Sequence, residues 1–466
     1  MTTERHGMFE FGRELKRIFG AQGGWRPARD GLAGGDSALL ELLDLSLLRN
    51  EGKAADAAAG RISAKDKPQR RLEAAIVWRE VARRSGDAAT LRKAAAQAEA
   101  AATAFDRERR PDGWARARCE QAFCALLGAE LFGEEGLNAA AEIAFREARE
   151  AARGGLAAPL AEVGLALIEG RRRMSLGDAQ AARVTAARFS APIAALQALT
   201  RRCSAAHLLI AEARTLRADM LAGWGARLKD PDILQMALDE AADVADGLDG
   251  AYEPLAHARA AALRGQILAL MGEVSGDIEQ ILEAVTCLAD VVEDMARDHS
   301  PLDWARMQAA LGLALQILGE ATAGERAFEQ AVTCYERAGL VLADAPALAL
   351  RAEASNGRAL CLARSAELSG DLAVLDAAEA AFKIELAHRR AGVDPVSWAL
   401  AQVNLARIYE ARLDITGKDR GERASAALAL QAALDVFAEE GLRSFTLIAI
   451  DAMERLRVRA VPRDGV

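Results

Sequence analysis

Chemistry in this 466-residue chain would have to come from a thin set of side chains. The five histidines, His6, His207, His257, His299 and His388, are scattered, with no close pair and no HExxH spacing to hold zinc and a general base on one helix face. The stretch TGKDRG at 416 to 421 joins Gly to Lys but lacks the upstream glycine and the Ser/Thr of a phosphate loop. GLAGGD at 31 to 36 has glycines but no strand before it, so a dinucleotide site is not indicated. Six cysteines, Cys119, Cys124, Cys203, Cys287, Cys334 and Cys361, form no CxxC and have no histidine at zinc spacing; within helical patterns they read as small buried hydrophobes. Carboxylate pairs for glycoside hydrolysis can be assembled from 68 acidic residues by arithmetic alone, but 3 Tyr and 12 Phe leave little to stack a sugar. The expectation is a protein that is not an enzyme, with no metal and no cofactor.

What does recur is arginine. Arg116, Arg259, Arg306 and Arg351 stand at one register position, and Arg171, Arg358 and Arg407 share a second. Such residues are also ordinary solvated helix arginines that pair with Asp or Glu one turn away. Lys plus Arg is 59 against 68 acids, a net charge of -9, with no basic run to neutralise phosphates, so nucleic acid is not expected as a partner. The first residues carry charges where a signal peptide needs an apolar stretch, and nowhere do about 18 apolar residues run together. The expected location is the cytoplasm.

The register that aligns those arginines comes from proline. Pro68, Pro111, Pro159, Pro254, Pro301, Pro346 and Pro395 are separated by 43, 48, 95, 47, 45 and 49 residues, and His207 stands where 95 divides. That makes about eight units. Eleven residues after each start come Arg79, Ala122, Gly170, Ala218, Gly265, Gly312, Gly357 and Ala406, four of them Gly, where 38 glycines in 466 residues predict fewer than one. Ala284 to Cys287, AVTC, returns 47 residues later as Ala331 to Cys334. Gly86, Gly177, Gly225, Gly272 and Gly319 fall eighteen residues after a start and read as the residue that ends a first helix. Asp230, Asp277 and Asp371 follow as caps of a second. Trp114, Trp304 and Trp398 lie three residues after their prolines and read as cover for the seam to the next unit. Each unit is expected to be two helices.

These residues carry a resemblance. WARMQAALGLALQILGE, with Gly312 and Gly319, followed by AVTCYERA with Ala331 and Tyr335, resembles a tetratricopeptide repeat, and Phe382 and Phe437 resemble Tyr335 in later units. The units average about 47 residues rather than the usual period of about 34, and so resemble long-period bacterial members of that family. Leu288 and Ala241 replace the aromatic in two units, and Arg79 breaks the small-residue column. The resemblance implies an all-α fold, an α-solenoid with a right-handed superhelix of about eight hairpins over residues 65–462, in which stacked neighbours share one core. It further implies a scaffold that binds a protein segment, acidic or amphipathic, in a groove lined by first helices. Arg116, Arg259, Arg306, Arg351, Arg358 and Arg407 are then its candidate partner-binding residues. A ligand-responsive regulator is the alternative.

At the start, residues 37–64 read as a helical cap: a Leu-rich helix over 37–49 announced by Asp36, then a second over 51–64. In the segment and linker 1–36, Met8, Phe11, Leu15, Ile18 and Phe19 form one apolar stripe. That stripe suits a membrane surface, a partner's groove or the chain's own solenoid. The end, RVRAVPRDGV, reads as a frayed tail.

Overall fold

The structure, a computed structural model, describes residues 38–61, 66–134, 136–174, 177–203, 205–343, 347–388 and 395–460. Every element among them is a helix, and the hairpins follow one another as an all-α solenoid. The N-terminal stripe, Pro346 and the final residues 461–466 lie outside the described residues. The chain divides into two compact units, one of Met1–Ala129 with Gly136–Trp304, the other of Glu130–Glu135 with Ala305–Val466.

The first unit opens with a single turn, Ala38–Glu41, and a helix, Leu45–Gly60. The expected boundary near residue 50 is corrected to Asp44, whose carboxylate accepts the Leu47 N–H at 2.8 Å and so starts the second helix there. That helix lies against the first hairpin, Lys67–Ser85 with Ala88–Ala104, where Gly52 leaves room for the Trp78 ring. Next come Pro111–Phe132 with Gly136–Ala151, Ala205–Leu228 with Pro231–Asp246, and Pro254–Ser275 with Ile278–Asp294. Between these stands a unit that departs from two helices. Ala157–Met174 is followed by Ala179–Ala187 and Ser190–Leu199, because Pro192 offers no N–H to continue the ladder and its ring would meet the Arg188 carbonyl. Phe189, fully buried, fills the corner.

In the second unit the hairpins are Pro301–Thr322 with Glu325–Leu342, Leu348–Ser369 with Leu372–His388, and Pro395–Thr416 with Glu422–Glu439. The first residues of the opening helix belong to the other unit. A last helix, Arg443–Ala460, follows the eighth hairpin and packs Phe445 at 5.5 Å from the Phe437 ring. The expected aromatic positions are core: Tyr335, Phe382 and Phe437 are all buried. Tyr335 is wedged between first helices, since a Cβ on Gly312 would lie 3.0 Å from its ring and one on Gly357 only 2.3 Å.

The small-residue column keeps one depth along the chain. Ala122, Ala218 and Ala406 are buried, and a Cβ on Gly170, Gly265, Gly312 or Gly357 would collide with a side chain of a neighbouring helix. AVTC recurs for the same reason: Ala284 and Ala331 are both fully buried, while Thr286 and Thr333 face out and donate to carbonyls four residues back. The aspartate column also holds. Asp230, Asp277 and Asp371 each accept an N–H from the first turn of the following helix, as do Asp87 and Asp178.

The second glycine column is corrected at three of its five members, while Gly86, with φ 70 and its N–H on the Ala82 carbonyl, and Gly177, whose N–H reaches the Arg173 carbonyl, do close their first helices. Gly225, Gly272 and Gly319 lie inside first helices of 22 to 24 residues rather than at their ends. They are close-approach sites: a Cβ at Gly272 would stand 2.5 Å from Ile281 and one at Gly319 2.9 Å from Phe328. In these three units chain reversal falls four residues later, at Lys229, Gly276 and Ala323, and other first helices end likewise at Gly133, Gly370 and Gly417, all with positive φ. Lys229 and Ala323 hold φ 50 without being glycine, at exposed sites where no packing depends on them. Ala323→Gly is therefore expected to raise stability by about 1 kcal/mol, the left-handed strain relieved less the entropy cost of Gly. Urea denaturation compared with the exposed helical substitution Ala321→Gly, which should lower stability, checks this.

Candidate functional site

The interior of the first unit is built by first helices that arrive from distant hairpins. Arg83 on Lys67–Ser85 reaches Glu212 on Ala205–Leu228 at 2.9 Å, and Arg259 on Pro254–Ser275 reaches Glu80 at 3.6 Å and Asp303 at 2.5 Å. Asp303 also accepts from the Ser300 hydroxyl at 2.6 Å, and Glu120 is shared by Arg79 and Arg116. The result is a layer of paired charges that links first helices of the first unit.

Onto this layer folds the turn Ala38–Glu41. Its Glu41 carboxylate accepts the N–H groups of Leu255 and Ala256, each at 2.8 Å, so a residue 214 positions away satisfies the free donors that begin helix Pro254–Ser275. Arg84, with no exposed surface, donates through Nη1 to the Leu43 carbonyl at 2.7 Å, through Nη2 to that of Leu40 at 2.9 Å, and through Nε to Glu80 at 2.7 Å. His299 Nε2 lies 2.7 Å from the Glu41 carbonyl, which only accepts, so that nitrogen carries the proton. Leu40 and Leu43 are buried beside these contacts. The site thus reads main-chain carbonyls with a guanidinium and an imidazole, and a carboxylate with a helix N-terminus, and it buries two leucines.

Burial sets the protonation of these groups and charge modifies it. For Glu41 burial raises the pKa against the pull of Arg259, and for His299 burial lowers it, aided by Arg84. Burial alone would raise Glu80 too, but Arg84, Arg83 and Arg259 outweigh it and hold the carboxyl at about 2. A base that weak takes no proton from a substrate at neutral pH, so Glu80 works as a fixed countercharge. An acid whose folded pKa lies below its unfolded value contributes stability that is complete above the unfolded value and disappears as pH falls toward the folded one. For Glu80 that window runs from its ordinary 4.5 down to about 2, while Glu41, shifted the other way, favours the folded state as it takes up its proton. Denaturation at pH 5 and pH 3 is expected to show a smaller loss for Glu80→Gln than for the unaltered chain.

The six arginines singled out by spacing are placed as follows. Arg116 pairs with Glu120 one turn on, at 3.3 Å, and Arg259 joins Asp303 and Glu80. Both enter the charge layer of the first unit. In the second unit Arg306 pairs with Glu130 at 2.6 Å and Arg351 is half-buried. Arg358 pairs with Glu336 at 3.1 Å, 5.8 Å from the Phe382 ring, and Arg407 donates to Asn356 Oδ1 at 2.6 Å. Burial, then Arg455, lowers the Arg407 pKa. Residues that spacing did not single out, Glu41, Arg84, Glu80, Asp303 and His299, are brought together with Arg259. A lone Glu inside the apolar run LLELLDLSLL was the one available signal for this grouping.

Among the described residues no group of His, Cys, Asp and Glu is placed to hold a metal ion, and no helix is long and apolar enough to cross a membrane. Four of the six cysteines are buried and all six are free; burial pushes the Cys119 thiol up to about 12. No family model matches the chain, and no curated protein does. Among solved structures it is similar to a Rap protein crystallised in complex with Competence and Sporulation Factor, at 10% identity and a TM-score of 0.45, covering 85% of this chain and 99% of that one. It is also similar to a circular tandem repeat protein with a novel repeat topology, at 15% identity and a TM-score of 0.24, covering 98% of each.

Proposed function

We propose that this chain is a non-catalytic cytoplasmic scaffold, its hairpins a long-period form of the tetratricopeptide repeat, that binds a protein segment on the face built by first helices. The observation that supports this reading is the turn Ala38–Glu41, a short peptide segment already held on that face through its carbonyls, one carboxylate and leucines. Arg116, Arg259, Arg306, Arg351, Arg358 and Arg407 are the proposed cations of the surface. Of the pairs described, that of Arg306 with Glu130 is half exposed, within reach of a partner's carboxylate. Exposed ion pairs give about 0.2 to 1 kcal/mol each, whereas micromolar binding needs about 8 kcal/mol. Apolar contacts must therefore supply most of the affinity, with the arginines setting orientation.

The test is quantitative capture by the immobilised full chain from its native extract. A partner retained by the unaltered chain and depleted at least three-fold on the double variant Arg306→Gln, Arg351→Gln, with unchanged thermal unfolding, is the expected result. A complement of captured proteins that the double variant leaves intact removes these arginines from the surface, and capture of none removes the scaffold reading. The regulatory alternative is favoured by the same self-held turn.

A further inference from the structure

We propose that the socket holding residues 38–43 is a peptide-recognition site, whose external ligand is a partner's helical turn with one carboxylate between two leucines, binding in place of the chain's own segment. This rests on the scaffold reading and gives it a ligand class and a regulation.

The two parts of the N-terminal cap do different work. Helix Leu45–Gly60 covers the outer side of the first hairpin, with Gly52 against Trp78, which is what a solenoid's end requires. The turn before it covers no hairpin end. It runs onto the interior face and makes its polar contacts with Arg84, Leu255, Ala256 and His299, the last three 214 residues or more from Glu41. Asp44 separates the two parts with an extended backbone, φ −64 and ψ 162, and caps Leu45–Gly60 through its own side chain. The helix thus keeps its N-terminal cap whether or not the turn is docked. Residues 38–43 can leave the face by rotation at Asp44 without unravelling helix Leu45–Gly60.

What holds the turn is recognition chemistry that does not require the occupant to belong to this chain. Arg84 and His299 read three carbonyls, those of Leu40, Leu43 and Glu41, which any helical turn ending at this place presents. Selectivity comes from the two N–H groups at Leu255 and Ala256, which favour a carboxylate oxygen, and from the burial of Leu40 and Leu43. A segment with leucine one residue before and two residues after a Glu satisfies every contact. Because the resident segment is covalently attached, it competes at high effective concentration, and an external ligand must outmatch it or arrive when it is open. Binding then releases residues 38–43 from the face.

The experiment uses the full chain and a fluorescein-labelled peptide SALLELLDL, the sequence of residues 37 to 45. Glu41→Ala in the chain weakens the resident segment, so the peptide is expected to bind that variant at least ten-fold more tightly than the unaltered chain. A peptide with its Glu replaced by Ala should lose ten-fold on the same variant. Hydrogen exchange of the unaltered chain gives a reading that does not depend on the variant folding. The amides of residues 39–43 and those of Leu255 and Ala256 should open together, at lower denaturant than the remaining amides of helix Pro254–Ser275. Opening of residues 39–43 only with global unfolding, or equal binding of the two peptides, overturns the proposal. Failure here leaves capture through Arg306 and Arg351 in the second unit untouched, so the scaffold reading stands or falls separately.

Discussion

Arg84→Ala is expected to destabilise the first unit by about 3–5 kcal/mol, the largest loss for any single side chain in the charge layer. The guanidinium has no exposed surface and makes three hydrogen bonds, to the Leu40 and Leu43 carbonyls and to Glu80. Its removal takes the Arg84 donor from the Leu43 carbonyl, leaves the Leu40 carbonyl only the Leu43 N–H at 3.2 Å, and takes one of three cations from a buried carboxylate. Each buried polar group stripped of its partner costs about 1–3 kcal/mol, and more when charged. Arg84→Met, which keeps the stem's volume, should cost nearly as much, because the loss lies in the fork of donors and not in packing. Arg84→Lys should also fail, since one ammonium cannot span two carbonyls and a carboxylate in the planar geometry used here. Urea denaturation read by a probe in the first unit measures this. A loss below about 1 kcal/mol for Arg84→Met would show that the clasp is energetically idle, as surface ion pairs often are.

The second large effect is expected at Gly357→Ala. A methyl there would stand 2.3 Å from Tyr335 Cζ and 2.6 Å from its hydroxyl oxygen. The ring has little room to retreat, because on its other side lies Gly312, where an added Cβ would itself stand 3.0 Å from it. Overpacking of a rigid core typically costs about 1–3 kcal/mol, and the upper end is expected here. Gly170→Ala provides the contrast. A methyl at that position would come nominally closer to its neighbour, 2.1 Å, but the first obstacle is the sulfur of Met220, an unbranched side chain that swings aside. Gly170→Ala should therefore cost less than half as much as Gly357→Ala, an order opposite to the distances. The double change Gly357→Ala, Tyr335→Leu should recover part of the loss, which a thermal-unfolding cycle over the four proteins would register.

The parts legible in the sequence are those that each hairpin must solve for itself. Gly312 and Gly357, Ala284 and Ala331, and Asp230 and Asp277 recur because helices of equal length meet their neighbours at equal depth, so one residue type is needed at one interval. The end of the first helix was not legible, because Lys229 and Ala323 occupy two of the seven left-handed positions that close first helices among the described residues and break the glycine pattern that would have marked them. The stronger glycine column, four residues earlier, drew the boundary inward. Pro192 was visible, but a proline that splits a helix and one that opens a helix look alike until the neighbouring carbonyl is placed. The Glu41 socket was illegible for a different reason. Its members come from the cap and from the first, fifth and sixth hairpins, and a contact made once leaves no period to detect. The arginine columns show the converse: Arg259 and Arg306 share a register position, yet one is nearly buried beside Asp303 and the other half exposed beside Glu130.

The bond between Glu41 and the amides of Leu255 and Ala256 also sets a timetable for biosynthesis. Hairpins that need only their neighbours can form as they leave the ribosome, but Glu41 must wait for a partner encoded 214 residues downstream. At about 5–20 residues per second that delay is roughly 10–40 s. During it the leucines of LLELL have no socket, and the nascent chain presents them to whatever chaperone or neighbouring polypeptide is at hand.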